Sequence, residues 1–362
     1  MTLAASARRP ALRASAAAVA AVGIGLLVLA AGLAAAGYDP WLALGALWRG
    51  SFGSWYALTS ATLVRSVPLV LVGLAIALAF RGGAFNIGAE GQFYAGAIAA
   101  TWVGLHAAAL PGWVAVPLTW AAALAAGALW ALIPAWLRVK RGVLEVISTL
   151  LLNFVAEALV SLLVQGPMQE RLGIYPQSDP IASSARLPVL PGSRLHLGLL
   201  LAIALAIGFW WLFTRTAWGF RLLAVGLGAD AARTSGRIDA SRVLAAALLG
   251  SGAIAGIAGA AEVGGVSYAL YQNLSPGYGF TGIAVALLAR LQPLAVIATG
   301  ILFGALEAGA GAMQREAGIP AVAVYVVEAV VIIVVLLGDR IARTGSAGSG
   351  AALEEHTAAA GT

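Results

Sequence analysis

Runs of about 20 almost uninterrupted apolar residues recur along nearly the whole chain, and they limit its possible folds more than any other feature. Only 10% of the 362 residues are charged and 61% are hydrophobic, with a mean hydropathy of +0.93. That leaves too little charge to cover a water-facing surface. The period-two alternation of membrane barrel strands is missing. The sequence therefore reads as an all-α, polytopic helical integral membrane protein.

About ten membrane segments (8–10) are expected, near residues 15–37, 58–80, 84–108, 112–137, 143–164, 195–214, 242–264, 278–289, 293–312 and 320–338. The first exceeds the ~7–15 residues of a signal-peptide core and reads as a retained span. The eighth is short for a crossing, so it is expected to be re-entrant or to begin earlier. With both termini cytoplasmic, the inner ends hold fifteen of the 21 basic residues: Arg8, Arg9, Arg13, Arg81, Arg138, Lys140, Arg141, Arg215, Arg221, Arg233, Arg237, Arg242, Arg290, Arg340 and Arg343. Arg49, Arg65, Arg171, Arg186, Arg194 and Arg315 fall outside, which is the asymmetry that positive-inside topology requires. This bias also accounts for the net charge of +6 without invoking nucleic acid.

The chain divides into a cytoplasmic tail (1–14), a membrane domain (15–338) and a second cytoplasmic tail (339–362) rich in Gly, Ser and Ala, expected to be disordered. Within the membrane domain, the extracytoplasmic loop 165–194 carries Pro167, Pro176, Pro180, Pro188 and Pro191. The cytoplasmic segment 214–242 is polar. There Asp230 is expected to cap a short helix that Gly236 ends, and Asp239 to cap the next span.

Polar groups inside the apolar runs are the candidate functional residues, because an ionisable group in a span is costly and normally faces the bundle interior or water. "RGGAFNIGAEGQFYAGAIAA" (81–100) introduces Asn86, Glu90 and Gln92 after a glycine pair that can break the helix. In the fifth span Glu145, Thr149, Asn153, Glu157 and Ser161 follow at i+4 spacing, either lining a pathway or bonding between helices. Glu262, Glu307 and Glu328 are further intramembrane carboxylates. Gly252, Gly256, Gly300 and Gly304 place small residues on single helix faces and suit close packing.

With no cysteine, disulfides, thiolate nucleophiles and Cys-ligated metals are excluded, and His106, His196 and His356 are too scattered for a metal site. No Walker A motif or nucleophile–base arrangement is present, so the chain reads as neither an enzyme nor a cofactor binder. An energy source must be an ion gradient or another subunit.

"GAFNIGAEGQFYAGA" followed by "EVISTLLLNFVA" resembles the permease subunits of bacterial ABC importers for nucleosides and simple sugars, in the larger group that includes ribose and branched-chain amino acid permeases. The resemblance extends over about residues 60–338, through "RLLAVGLGADAARTSGRIDASR" and a C-terminal hairpin. It departs at Gly228–Ala229, where family members commonly carry Asn-Pro, at Ser235–Gly236–Arg237–Ile238, and at Ala289, where Gly is common.

The resemblance implies a multi-pass protein of the bacterial inner membrane, surrounded by lipid. Its implied partners are a separate ABC ATPase that binds the ATP, a second permease subunit (self or paralogue) and an extracytoplasmic substrate-binding lipoprotein. It further implies that Asp230, Ala231, Ala232, Arg233, Ser235, Gly236 and Arg237 form the ATPase-coupling helix. Asn86, Glu90, Gln92, Asn153 and Glu157 suit a neutral, hydroxylated solute. Two other readings fit the residues alone: a secondary transporter relaying protons through Glu90, Glu157 or Glu262, and a non-transporting assembly protein.

Overall fold

Inside a bilayer a helix satisfies its own backbone groups, so each apolar run folds as one. The computed structural model describes residues 22–234 and 236–320, together with 322–323, 325–326, 329–330 and 333. Ser235, Glu328, the 1–14 and 339–362 tails and most of the 320–338 segment lie outside the described residues.

The helices are α1 (Val22–Ala35), α2 (Pro40–Ser51), α3 (Trp55–Arg81), α4 (Ala89–Leu105), α5 (Gly112–Arg141) and α6 (Glu145–Val164). They continue with α7 (Gly198–Arg215), α8 (Ala217–Leu227), α9 (Ala229–Thr234), α10 (Ala240–Glu262), α11 (Tyr278–Leu288) and α12 (Pro293–Ala317). A π-helical turn interrupts α3 at Leu58–Thr62, and another, Val263–Ser267, extends α10. Six helices, α3, α5, α6, α7, α10 and α12, are long and apolar enough to cross a membrane. No strand forms among the described residues.

The chain divides into two compact units, Met1–Leu47 with Ala310–Thr362, and Trp48–Gly309. In the larger unit α3 and α10 are the central helices, buried along most of their length, whereas α5, α6 and α7 bury only a narrow stripe. Small residues let α10 sit this deeply. A methyl group on Gly252 or Gly256 would strike backbone of α5 at Gly127 and Ala123, and Gly96 of α4 abuts Gly256. Gly300 and Gly304 lie likewise against Val70, Ser66 and Thr62 of α3.

Several boundaries differ from those expected. The third span begins at Ala89 rather than residue 84, because residues 82–88 form a loop, with Asn86 and Gly88 buried and Phe85 exposed, after the break at Gly82–Gly83. The fourth runs to Arg141, where Gly142 takes the left-handed conformation that ends the helix. α2 was not expected: the Asp39 carboxylate accepts from the N–H groups of Trp41 (2.9 Å) and Leu42 (3.3 Å), and Pro40 opens the helix. α8 was not expected either. Thr216 caps it through Gly219 N–H at 3.1 Å, and Gly219, Leu222 and Val225 form its buried face. Asp230 is not a cap, since α9 already starts at Ala229, and its exposed carboxylate instead pairs with Arg233 at 3.5 Å. Asp239 does cap α10, accepting from Ser241 and Arg242 at 3.1 Å each. α11 starts no earlier than Tyr278, where Ser275 Oγ accepts its N–H at 2.9 Å.

The 165–197 loop forms an ordered strap across several helix ends. Ser178 N–H donates to Leu270 O (2.7 Å), Ile181 N–H to Tyr268 O (2.8 Å), Ala182 N–H to Gly104 O (3.0 Å) and Leu187 N–H to Gly264 O (2.8 Å). Arg186 lies over the Tyr268 ring at 4.7 Å.

Candidate functional site

The break between α3 and α4 exposes backbone groups that a continuous helix would have paired, and inside a membrane they must find other partners. Gly83, at φ +75°, turns the chain through a conformation that only glycine adopts without cost. The loop then enters α4 through Asn86, which is fully buried. Asn86 Nδ2 donates to Gln92 Oε1 and to Ser251 Oγ, both at 2.8 Å. Its Oδ1 accepts from Gly88 N–H at 2.9 Å and from Gln92 Nε2 at 3.1 Å. One amide thus closes the loop, fixes the first turn of α4 and ties both to α10.

The polar stripe of α6 supplies the rest. Glu145 Oε1 accepts from Phe85 N–H at 3.2 Å, while Arg138 at the end of α5 pairs with Oε2 at 3.1 Å. Thr149 Oγ1 accepts from Ile87 N–H at 3.3 Å. Asn153 Nδ2 donates to Ile87 O at 2.9 Å, and its Oδ1 accepts from Gly91 N–H at 2.8 Å. Three successive i+4 positions therefore clamp the loop and cap α4 from outside. The N–H groups of Gly88 and Gly91, at the start of α4, thus already have protein partners.

Each i+4 step turns about 40° around a helix, so the stripe spirals. Glu157 lies about 120° round from Glu145 by that count, and the structure leaves it exposed while Glu145, Thr149 and Asn153 are buried. Glu90 leaves the cluster in another direction. It is buried and accepts from Gly279 N–H at 2.5 Å, joining the first turns of α4 and α11.

The five expected pathway residues therefore separate into three groups. Asn86, Gln92 and Asn153 build the clamp, Glu90 locks a helix junction, and Glu157 stands apart. Beside Glu157 a polar cavity of about 190 Å3 is lined by Tyr94, Val160, Ser161, Gln272 and Asn273. Sequence reasoning missed Ser251, Tyr94, Gln272 and Asn273. Ser251 had a local signal, a hydroxyl inside the apolar run of α10, and Tyr94 lies within the 81–100 stretch itself; Gln272 and Asn273 come from a distant segment.

On another face, α8, α9 and Arg237–Ile238 enclose an apolar groove of about 690 Å3, with Phe220, Leu223 and Leu227 exposed along it. Ala231 lines this groove, and Ala232 lines it while its side chain is buried. Arg233 and Asp230 are exposed, and Gly236, at φ +66°, turns the chain after α9. On its inner side α8 approaches the clamp, with Gly226 packed on the Arg81 carbonyl and beside Gly83.

Residues 58–336 match the family described as branched-chain amino acid transport system, permease component. The chain belongs to this family. It is 40% identical, over 85% of its length and 83% of the relative's, to the glucose ABC transporter permease protein TsgB13 of Haloferax volcanii. It is 37% identical to the guanosine ABC transporter permease protein NupP of Bacillus subtilis, over 86% of this chain and 90% of that one. A second Bacillus subtilis guanosine permease protein, NupQ, is 28% identical over 67% of this chain and 78% of its own. The chain is thus an ABC-type permease component, a multi-pass membrane protein, and its polar membrane residues belong to a transport subunit rather than to a catalytic centre.

Proposed function

We propose that this chain is one of two permease subunits of an ATP-driven importer that carries nucleosides or simple sugars across the cytoplasmic membrane. Similarity over most of its length to permeases named for guanosine and for glucose supports the solute class. The observation that carries the role in transport is the outer face of α6. Glu157 is exposed there among Leu151, Phe154, Val155 and Leu162, a surface that lipid alone would cover poorly because the carboxylate needs water or a polar neighbour. That face meets the second permease, with the solute passing between the two. Two Bacillus subtilis permeases named for the same solute, at 37% and 28% identity to this chain, favour a paralogue over a second copy.

About ten membrane segments with both termini in the cytoplasm fit the arginine asymmetry. In that topology the groove of α8 and α9 faces a separate ATPase, with residues 230–237, α9 and the turn after it, as the coupling segment, and an extracytoplasmic lipoprotein delivers the solute to the other side. ATP is held by the ATPase alone.

The test is uptake of labelled guanosine and of labelled glucose by cells with and without the gene. Loss of one uptake on deletion, and again when the ATPase that copurifies with the chain is inactivated, is the expected result. Uptake that survives loss of that ATPase but collapses with an uncoupler would favour the ion-coupled reading.

A further inference from the structure

We propose that the cavity beside Glu157 is a subsite for the vicinal hydroxyl pair of a sugar ring, resting on the importer reading above. Glu157 lies on a membrane-crossing helix, is exposed, and has no hydrogen bond or ion pair to any described residue. Its neighbours are fixed in place. Ser161 Oγ, one turn further along α6, accepts from Gln165 Nε2 at 2.8 Å and from Gln272 Nε2 at 2.5 Å. Tyr94 is buried, and its hydroxyl accepts from Ser275 N–H at 3.4 Å, which leaves its ring as a rigid wall. Asn273 holds a left-handed backbone at φ 57°, and its side chain bonds to no described residue.

The site thus presents a carboxylate and an amide without partners among the described residues, beside groups already committed. An ionised carboxylate only accepts, through two oxygens, while an amide both donates and accepts. Paired O–H donors on adjacent carbons of a ring match the two carboxylate oxygens, and charge assistance strengthens such bonds. A third hydroxyl or ring oxygen suits Asn273. The volume of about 190 Å3 is below the ~300–1,000 Å3 of pockets that enclose whole ligands, so it takes part of a solute. Guanosine and glucose, the solutes named for two relatives, share a ring bearing vicinal hydroxyls and little else.

The experiment compares uptake of guanosine with 2′-deoxyguanosine, and of glucose with 2,4-dideoxyglucose, which has no vicinal hydroxyl pair left on its ring, in cells carrying the complete transporter. The chain is wild type, Glu157→Gln or Asn273→Ala, with its abundance in the membrane matched by immunoblot. Any preference of the binding protein is common to all three strains, so the change in ratio belongs to this chain. Glu157→Gln should lower kcat/KM for the hydroxylated solute about tenfold, the scale of one charge-assisted hydrogen bond, and for the deoxy analogue by much less. Asn273→Ala should shift the ratio in the same direction. Equal losses for both solutes, or an unchanged ratio in both variants, would overturn the subsite while leaving the importer intact. If the wild type imports neither solute, the importer reading falls and the subsite with it.

Discussion

Four side-chain hydrogen bonds converge on Asn86, and its chemistry has no close substitute. It donates twice and accepts twice in a fully buried site, linking residues 88, 92 and 251. Asn86→Ala leaves the Gln92 amide and the Gly88 N–H without these partners in a place water does not reach. Each buried group left unsatisfied costs about 1–3 kcal/mol, so the purified chain should lose several degrees in its detergent melting midpoint. Ser251→Ala removes one acceptor of a single bond and should cost clearly less.

His196 is a second residue whose protonation matters. It is buried in the strap against Gly265 and Gly198, and its Nδ1 accepts from Gly198 N–H at 3.2 Å, so the neutral ring carries its proton on Nε2. Burial pushes the imidazole down to about 4. An unfolded histidine titrates near 6.5, so the unfolded chain binds the proton first as pH falls. The neutral form's contribution is complete at pH 7 and is lost between about 6.5 and 4, at about 1.4 kcal/mol per pH unit. The melting midpoint should fall across that window, and the fall should shrink in His196→Gln. A slope unchanged by the substitution would place the titrating group elsewhere.

Between elements, close approach governs what substitution the bundle tolerates. A methyl group on Gly256 meets the Ala123 carbonyl and Gly127 Cα, which are backbone atoms that cannot rotate away. One on Gly250 of the same helix meets only the tip of the Leu78 side chain. Gly256→Ala should therefore cost about 1–3 kcal/mol, the usual range for overpacking, and Gly250→Ala much less, read as the difference in melting midpoint. Gly226→Ala tests a different link. It should push α8 off the Arg81 carbonyl and speed hydrogen exchange at residues 83–88, with α10 protected as before.

What the sequence disclosed about these elements follows from where each signal resides. Apolar runs are local, so the long helices were legible, as was the Asp239 cap. The Asp39–Pro40 start of α2 and the Thr216 cap of α8 were equally local but lay outside the long apolar runs. The i+4 stripe of α6 was legible as a pattern, but not which way each member faces. That depends on a loop some 60 residues earlier in the chain, where Phe85 and Ile87 need acceptors. Periodicity carries no information about such a distant demand.

At the scale of the whole molecule, α6 has two incompatible faces. One is spent on the clamp; the other sets a carboxylate with no partner among the described residues beside exposed apolar side chains. A chain adapted to stand alone in lipid would carry leucine at residue 157, since a carboxylate at the centre of a span costs about 2.5–3.5 kcal/mol on insertion scales. Retaining Glu157 is sensible only if stability is given up for contact with a solute path or a neighbouring subunit. Stability and transport should therefore respond to one substitution with opposite signs. Glu157→Leu should raise the melting midpoint of the chain purified without a second permease, and lower solute uptake in cells that contain the complete transporter. If the substitution lowers both, Glu157 supports the fold itself, and the outer face of α6 is not where the solute passes.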